Sequence, residues 1–385
     1  MAIIKHQLKA AVLSLTLLLI LCTPSLHAQD ISVGVSESVE LMSILAKTAG
    51  YREYCNDMAG AYTDATNEWF APYSSHPTVR YMQEIREKYG ISYDAVAAMA
   101  VRLECAGDGT VGFLDCEDDI GDKRWKNIPL DSFLVRLNQF YTDTRFHAFY
   151  LRHAPLFSRI VGKFREDVLK GFDPSWYSSF YGKQTESGFP IVIGVSNGGG
   201  NYGAHRQLRG RQRENFAIIG CYIEKGDSVP DYSYYLPTLI HEFNHSFANG
   251  LISSADSLQA ARVGNVLYRM SALAMRRQAY GNGETVLNES LVRAAVIIYL
   301  SDHRSVHPTP EEALADEIAC GFGWMPELVT ALQKYRKSRK KYPNLTSYAP
   351  ELLKTLSGYV NRESRRIGRP LGVKDMFHTE EASVK

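Results

Sequence analysis

The segment YYLPTLIHEFNHSFANG, residues 234–250, constrains this chain more than any other stretch of its 385 residues. It sets His241 and His245 four positions apart with Glu242 beside the first, the pattern HExxH. An α-helix stacks positions i and i+4 on one face with Cβ atoms about 5–6 Å apart, so two imidazoles can converge on one cation. Glu242 then lies about 100° round the helix, flanking the ion without binding it. From there it can take a proton from a water whose pKa the ion has lowered towards about 7, and pass it to a leaving group. Pro237 suits a first helical turn, and Asn249 with Gly250 supplies the stop. Leu236, Leu239, Ile240, Phe243 and Phe247 form the apolar stripe that would bury the helix, with the histidines away from its centre.

A catalytic zinc site takes three protein ligands and keeps one position open, which sends the search downstream. Glu289 is the best placed third ligand. It stands 44 residues beyond His245 in the helical segment ETVLNESLVRAAVIIYL, with room for one intervening helix to run out and back. Leu287, Leu291, Ala294, Ala295 and Ile298 would bury this second helix and present Glu289 to a neighbour. Arg293, one turn on, can orient the Glu289 carboxylate or bind a substrate carbonyl oxygen. Glu284, Asp316 and Glu317 are rival ligands, and a plain surface pair of Glu289 with Arg293 is the blander alternative. His303 and His307 lie further on, and the 14 residues from Glu289 to His303 span about 21 Å of helix, which speaks against His303.

The fold around these helices is legible in outline. With 45% hydrophobic and 22% charged residues the chain sits near the globular average, and its length allows one large or two medium domains. After a short β-like opening, ISVGV, three-and-four apolar spacing in VELMSILAKTAG, TVRYMQEIREKYG, YDAVAAMAVRLE and SFLVRLNQFYTDTRFHAFY predicts a helical N-terminal half. FPIVIGV (189–195) and NFAIIGCYI (215–223) read as strands joined by the glycine-rich SNGGGNYGAHR loop. A peptidase needs a strand edge to receive substrate backbone, and these two strands stand just upstream of the HExxH helix. Asn201, Tyr202 and His205 of the loop are candidate substrate contacts, against a turn that touches nothing. Helices follow at about 236–249, 255–279, 284–301 and 311–320. The expected class is α+β, predominantly helical, with a small sheet preceding the HExxH helix. A helical region 29–180 would lead into a metallopeptidase region 181–385, the two forming one continuous domain or two.

Charge and cysteines narrow the partners. Lys and Arg total 43 against 42 Asp and Glu, a balance that excludes a whole-protein footprint for nucleic acid or anionic membrane. Lys5 and Lys9 precede an apolar run from Ala10 to Cys22 and a Pro24 break, the pattern of a signal peptide cut near Ala28. No run is long enough for a transmembrane helix. Loss of residues 1–28 leaves 41 basic and 42 acidic residues and five cysteines. Cys105 and Cys116 bracket AGDGTVGFLD and can close a disulfide in an oxidising compartment, with isolated thiols the equal alternative. The basic run KYRKSRKK, residues 334–341, reads as a solvated helix end.

HEFNH followed by the glutamate of NESLVRA, preceded by a GGGNYG loop and a signal peptide, resembles an uncharacterised DUF-type family of secreted bacterial proteins with gluzincin-like zinc metallopeptidase features. The resemblance covers about residues 185–325. It implies one zinc ion held by His241, His245 and Glu289, with Glu242 as catalytic acid and base. The gluzincin signature often carries Asp after the third ligand, where this chain has Arg293. The expectation is an exported enzyme, periplasmic or extracellular, acting on a peptide or protein substrate. The alternatives are an exported binding or scaffold protein with a non-catalytic HExxH helix, and a zinc hydrolase of non-peptide amides.

Overall fold

Helix and strand begin and end largely where local chemistry directs, and the long-range pairing of a few short strands ties the halves together. The computed structural model describes residues 31–107, 109–117, 122–182, 188–304 and 307–366. The expected signal segment, residues 1–28, lies outside them. The chain opens with β1 (Val33–Gly34) and helix α1 (Glu37–Thr48), the latter buried almost all round from Ser38 to Ala46. Helices α2 (Ala61–Phe70), α3 (Pro77–Tyr89) and α4 (Asp94–Ala100) follow, then a two-stranded antiparallel ribbon of β2 (Leu103–Cys105) and β3 (Val111–Phe113). Helices α5 (Leu130–Asp143), α6 (Phe146–Arg152), α7 (Ala154–Asp167) and α8 (Ser175–Tyr181) complete this half. The helical pattern read through SFLVRLNQFYTDTRFHAFY breaks at Arg145, which takes a left-handed φ of 53° and turns α5 into α6.

A four-stranded sheet joins the two halves. Its order is β1, β4 (Ile191–Gly194), β6 (Arg213–Gly220), β5 (Tyr202–Gln207). The first three strands are parallel and β5 runs antiparallel to β6. The opening strand thus pairs Val33 with Ile191, and from Val33 onward the chain forms one compact unit. Here one expectation is corrected. The strands foreseen at 189–195 and 215–223 are interior, and the edge strand on the side of the HExxH segment is β5, which lies inside the stretch read as a loop. Its sequence YGAHRQ lacks the β-branched residues that mark a strand, because its alternate positions press against backbone on one side and an aromatic ring on the other.

The C-terminal half is helical: α9 (Leu236–Ala248), α10 (Ser257–Met270), α11 (Ala272–Arg277), α12 (Gly283–Asp302), α13 (Pro310–Ala319), α14 (Met325–Lys337) and α15 (Leu345–Arg366). The helix expected over 255–279 breaks at Ser271, whose Oγ donates to the Gly321 carbonyl at 2.7 Å. α12 is the axis of this half, buried on nearly every side and packed against α9, α10, α13 and α14. Its start lies so close to α10 that a Cβ on Gly264 would stand 2.5 Å from the Gly283 carbonyl oxygen. Only glycines permit that approach.

Cys105 and Cys116 are not joined in a disulfide, and the Cys116 backbone forms an isolated antiparallel bridge with Leu208 beyond β5. The basic run closes helix α14 with Lys334, Arg336, Lys337, Lys340 and Lys341 exposed, while Arg336 pairs with Asp302 and Arg339 donates to the Ser179 and Phe180 carbonyls at the end of α8. Among the described residues no helix is long and apolar enough to cross a membrane.

Candidate metal centre

The HExxH segment forms helix α9 with Pro237 in its first turn, as its sequence requires. Leu239, Ile240 and Phe243 are fully buried, and Phe243 stacks on Phe172 with ring centroids 5.4 Å apart. Asn244, between the two histidines, is the fastening to the rest of the protein. It is wholly buried, donates to the Val292 carbonyl of α12 at 3.2 Å and accepts from the Tyr181 hydroxyl at 3.0 Å. A second tie lies two residues past the end of α9, where the Gly250 N–H donates to Asn288 Oδ1 of α12 at 2.9 Å. Two consecutive turns of α12 are thereby set against α9, and Glu289 rides between these anchors.

Three ligand residues converge as a result. His241 Nε2 and His245 Nε2 are 3.2 Å apart, His241 Nε2 is 3.5 Å from Glu289 Oε2, and His245 Nε2 is 3.6 Å from Glu289 Oε1. Ligands on a tetrahedral ion with bonds of about 2.0–2.1 Å stand about 3.3–3.4 Å from one another, close to these spacings, and each histidine here faces a different oxygen of Glu289. Among the described residues these three form the group able to hold a metal ion. Its protonation suits the purpose. His245 Nδ1 meets the side-chain oxygen of Asn249 at 3.1 Å, an acceptor that calls for a proton on Nδ1 and leaves Nε2 with its lone pair. Burial, and then the fields of His245 and Arg293, hold the His241 pKa well below that of a free histidine, which keeps its ring neutral.

Glu242 lies alongside, 6% exposed, and burial pushes its pKa up to about 7. Strand β5 crosses directly over it. The Gly203 N–H donates to the Glu242 carboxylate, and a Cβ on Gly203 would lie 2.7 Å from the Glu242 carbonyl oxygen and 3.2 Å from His245 Cβ. This glycine of the GGGNYG segment therefore lets the edge strand touch the HExxH helix. Alternation turns Tyr202 and Arg206 to the other face, where Tyr202 stacks on Tyr54 at 6.1 Å and Arg206 donates to the Val101 carbonyl. Asn201 accepts from the Gly220 N–H at the end of β6 at 2.9 Å, and His205 lies on β5 on the Gly203 side.

Arg293 stands behind Glu289, and its five N–H groups all have partners. Nε donates to Glu289 Oε2 at 3.3 Å, one terminal nitrogen to both oxygens of Glu317 at 2.8 and 3.1 Å, and the other to Gln278 Oε1 at 3.3 Å and the Tyr280 hydroxyl at 2.8 Å. Of the two roles considered for Arg293, orienting the carboxylate is the one its hydrogen bonds support. Glu317 serves that arginine from outside the three-residue group, which also leaves out Glu284 and Asp316. His303 stacks on Tyr299 and meets Asp173 at 3.4 Å, at the far end of α12. Sequence reasoning missed Tyr280, Gly203, Asn244 and Asn249. Of these only Asn249, one turn beyond His245, carried a readable signal.

A helical α+β fold with two histidines from one helix and a carboxylate from a second defines a protein with a three-ligand candidate metal centre. The chain belongs to the family DUF4932, described as a domain of unknown function, whose match runs over residues 31–355. No curated protein matches the chain, and no solved structure does.

Proposed function

We propose that this protein is an exported zinc-dependent metallopeptidase of gluzincin type, with His241, His245 and Glu289 as ligands and Glu242 as general base and acid. The observation that carries the reading is the convergence of His241, His245 and Glu289, whose ligand atoms all lie within 4.8 Å of one another, next to the buried Glu242 outside that group. When bound, zinc would polarise the scissile carbonyl and acidify the attacking water. Glu242 takes the proton that water loses as its oxygen adds to the carbonyl carbon. The same carboxyl then returns the proton to the amide nitrogen as the C–N bond breaks, so the residue ends as it began. Asn249 and Arg293 orient His245 and Glu289 without touching substrate.

Export is supported by the apolar segment Ala10–Cys22, which Lys5 and Lys9 precede and which the expected cut near Ala28 follows. The test of activity is incubation of the purified protein with a proteome-derived peptide library, reading new termini by mass spectrometry. Wild type should produce them, a chelator should stop it, and Glu242→Gln should lower the rate by about 10²–10⁴ while keeping its metal. Cleavage of amide-linked cell-wall fragments with no peptide cleavage would redirect the same site to non-peptide amides. Undiminished cleavage by Glu242→Gln would overturn the assignment of that residue.

A further inference from the structure

Glu289 offers two carboxylate oxygens to the candidate centre, and they are not equivalent. Oε2 faces His241 Nε2 at 3.5 Å but already accepts from the Tyr280 hydroxyl at 2.9 Å and from Arg293 Nε at 3.3 Å. Oε1, 3.6 Å from His245 Nε2, accepts from no described residue. Tyr280 in turn accepts from Arg293 at 2.8 Å, so a directed chain runs from the Glu317–Arg293 pair through the Tyr280 hydroxyl to Glu289. Each link polarises the next. The turn that delivers Tyr280 also stands apart. Ala279 is held at a left-handed φ of 63°, a conformation alanine adopts at a cost, and the Tyr280 N–H that follows is pinned to the Met275 carbonyl at 2.9 Å. Gln278 of the same turn donates to the Cys320 carbonyl at 2.9 Å and accepts from Arg293, which docks the turn against the end of α13.

We propose that Tyr280 is the positioning residue of the third ligand: with Arg293 it occupies Glu289 Oε2 and leaves Oε1 as the oxygen that binds the metal. The proposal rests on the reading of His241, His245 and Glu289 as a metal site. A carboxylate held through one oxygen keeps the coordination number low, and so keeps a position open beside Glu242. An arginine takes the place of the expected acid after the third ligand because the tyrosine needs a donor to anchor it while its own proton goes to Glu289. Glu317 neutralises that arginine, which would otherwise pull Glu289 away from the histidines.

The test uses the full chain and its Tyr280→Phe and Glu317→Gln variants, each stripped of metal and titrated with zinc against a chromogenic chelator, then loaded with cobalt for visible spectra. Tyr280→Phe removes one hydroxyl and keeps the ring. It should weaken zinc binding by about 10–100-fold and shift the cobalt bands towards higher coordination as Oε2 is released, with the metal-free melting temperature nearly unchanged. Glu317→Gln should weaken binding less and shift the bands in the same direction. Binding within about twofold of wild type and an unaltered cobalt spectrum in both variants would overturn the proposal while leaving the three-ligand site intact. A wild type that binds neither zinc nor cobalt would remove the site and the proposal together.

Discussion

Glu40 of α1 and Glu289 of α12 are both buried glutamates, 0% and 7% exposed, and they do opposite things. Glu40 is surrounded by hydrogen-bond donors. The Tyr62 hydroxyl reaches it at 2.8 Å, and the Val195 and Ser196 N–H groups at 2.7 and 3.2 Å, where β4 ends and the glycine-rich stretch begins. Glu289 has donors on one side only. Two imidazole nitrogens that bring lone pairs of their own also face it, one toward each oxygen, a gathering of acceptors that a cation reconciles. A buried carboxylate encircled by donors closes a fold; one set among acceptors prepares a binding site. In this molecule the first holds the loop that leads into β5, and β5 in turn lies on Glu242 beside the second.

Several substitutions would break or sharpen that contrast. The largest effect is expected from Glu40→Ala, which strands two backbone N–H groups and a hydroxyl in the interior. It should cost about 3 kcal/mol or more in chemical denaturation, with the metal content of the folded fraction unchanged. Gly203→Ala comes next, because its Cβ would press on the Glu242 carbonyl at 2.7 Å. A cost of about 1–3 kcal/mol is expected, together with weakened zinc binding, since the displaced neighbours are Glu242 and His245. Asn249→Ala should leave stability almost alone and weaken zinc binding about tenfold in chelator competition, by freeing the His245 ring to turn and change tautomer.

The smallest effect is one of pH. Burial raises the Glu40 pKa above its ordinary 4.5, so over the range between the unfolded and folded values the native protein holds the proton that the unfolded chain has lost. Stability should therefore decline as pH rises through that range, and Glu40→Gln should flatten this part of the profile of unfolding free energy against pH. A wild-type profile that rises there would contradict the assignment.

The site was more legible in the sequence than the sheet that serves it. His241, Glu242 and His245 announce themselves through helical spacing, and Glu289 through the apolar periodicity that buries its helix, because both signals are local. Strand β5 was not legible. YGAHRQ is a strand only because β6 pairs with it and α9 lies across Gly203, and neither partner is visible in six residues. The role of Arg293 was half legible: one turn along a helix places it over Glu289, but its other partners come from α13 and from the turn before α12. Breaks at Arg145 and Ser271 escaped for a similar reason. Apolar spacing continues through both, and the bend is imposed by what the following helix must pack against.

The central claim is that Glu289 binds a metal ion while Glu40 serves only the fold. The most direct measurement is elemental mass spectrometry on the purified protein, its Glu289→Ala variant and its Glu40→Gln variant, each reconstituted with zinc and desalted. About one zinc per chain should be found in wild type and in Glu40→Gln, with most of it gone from Glu289→Ala. Zinc kept at the wild-type level by Glu289→Ala, or absent from wild type after reconstitution, would contradict the account.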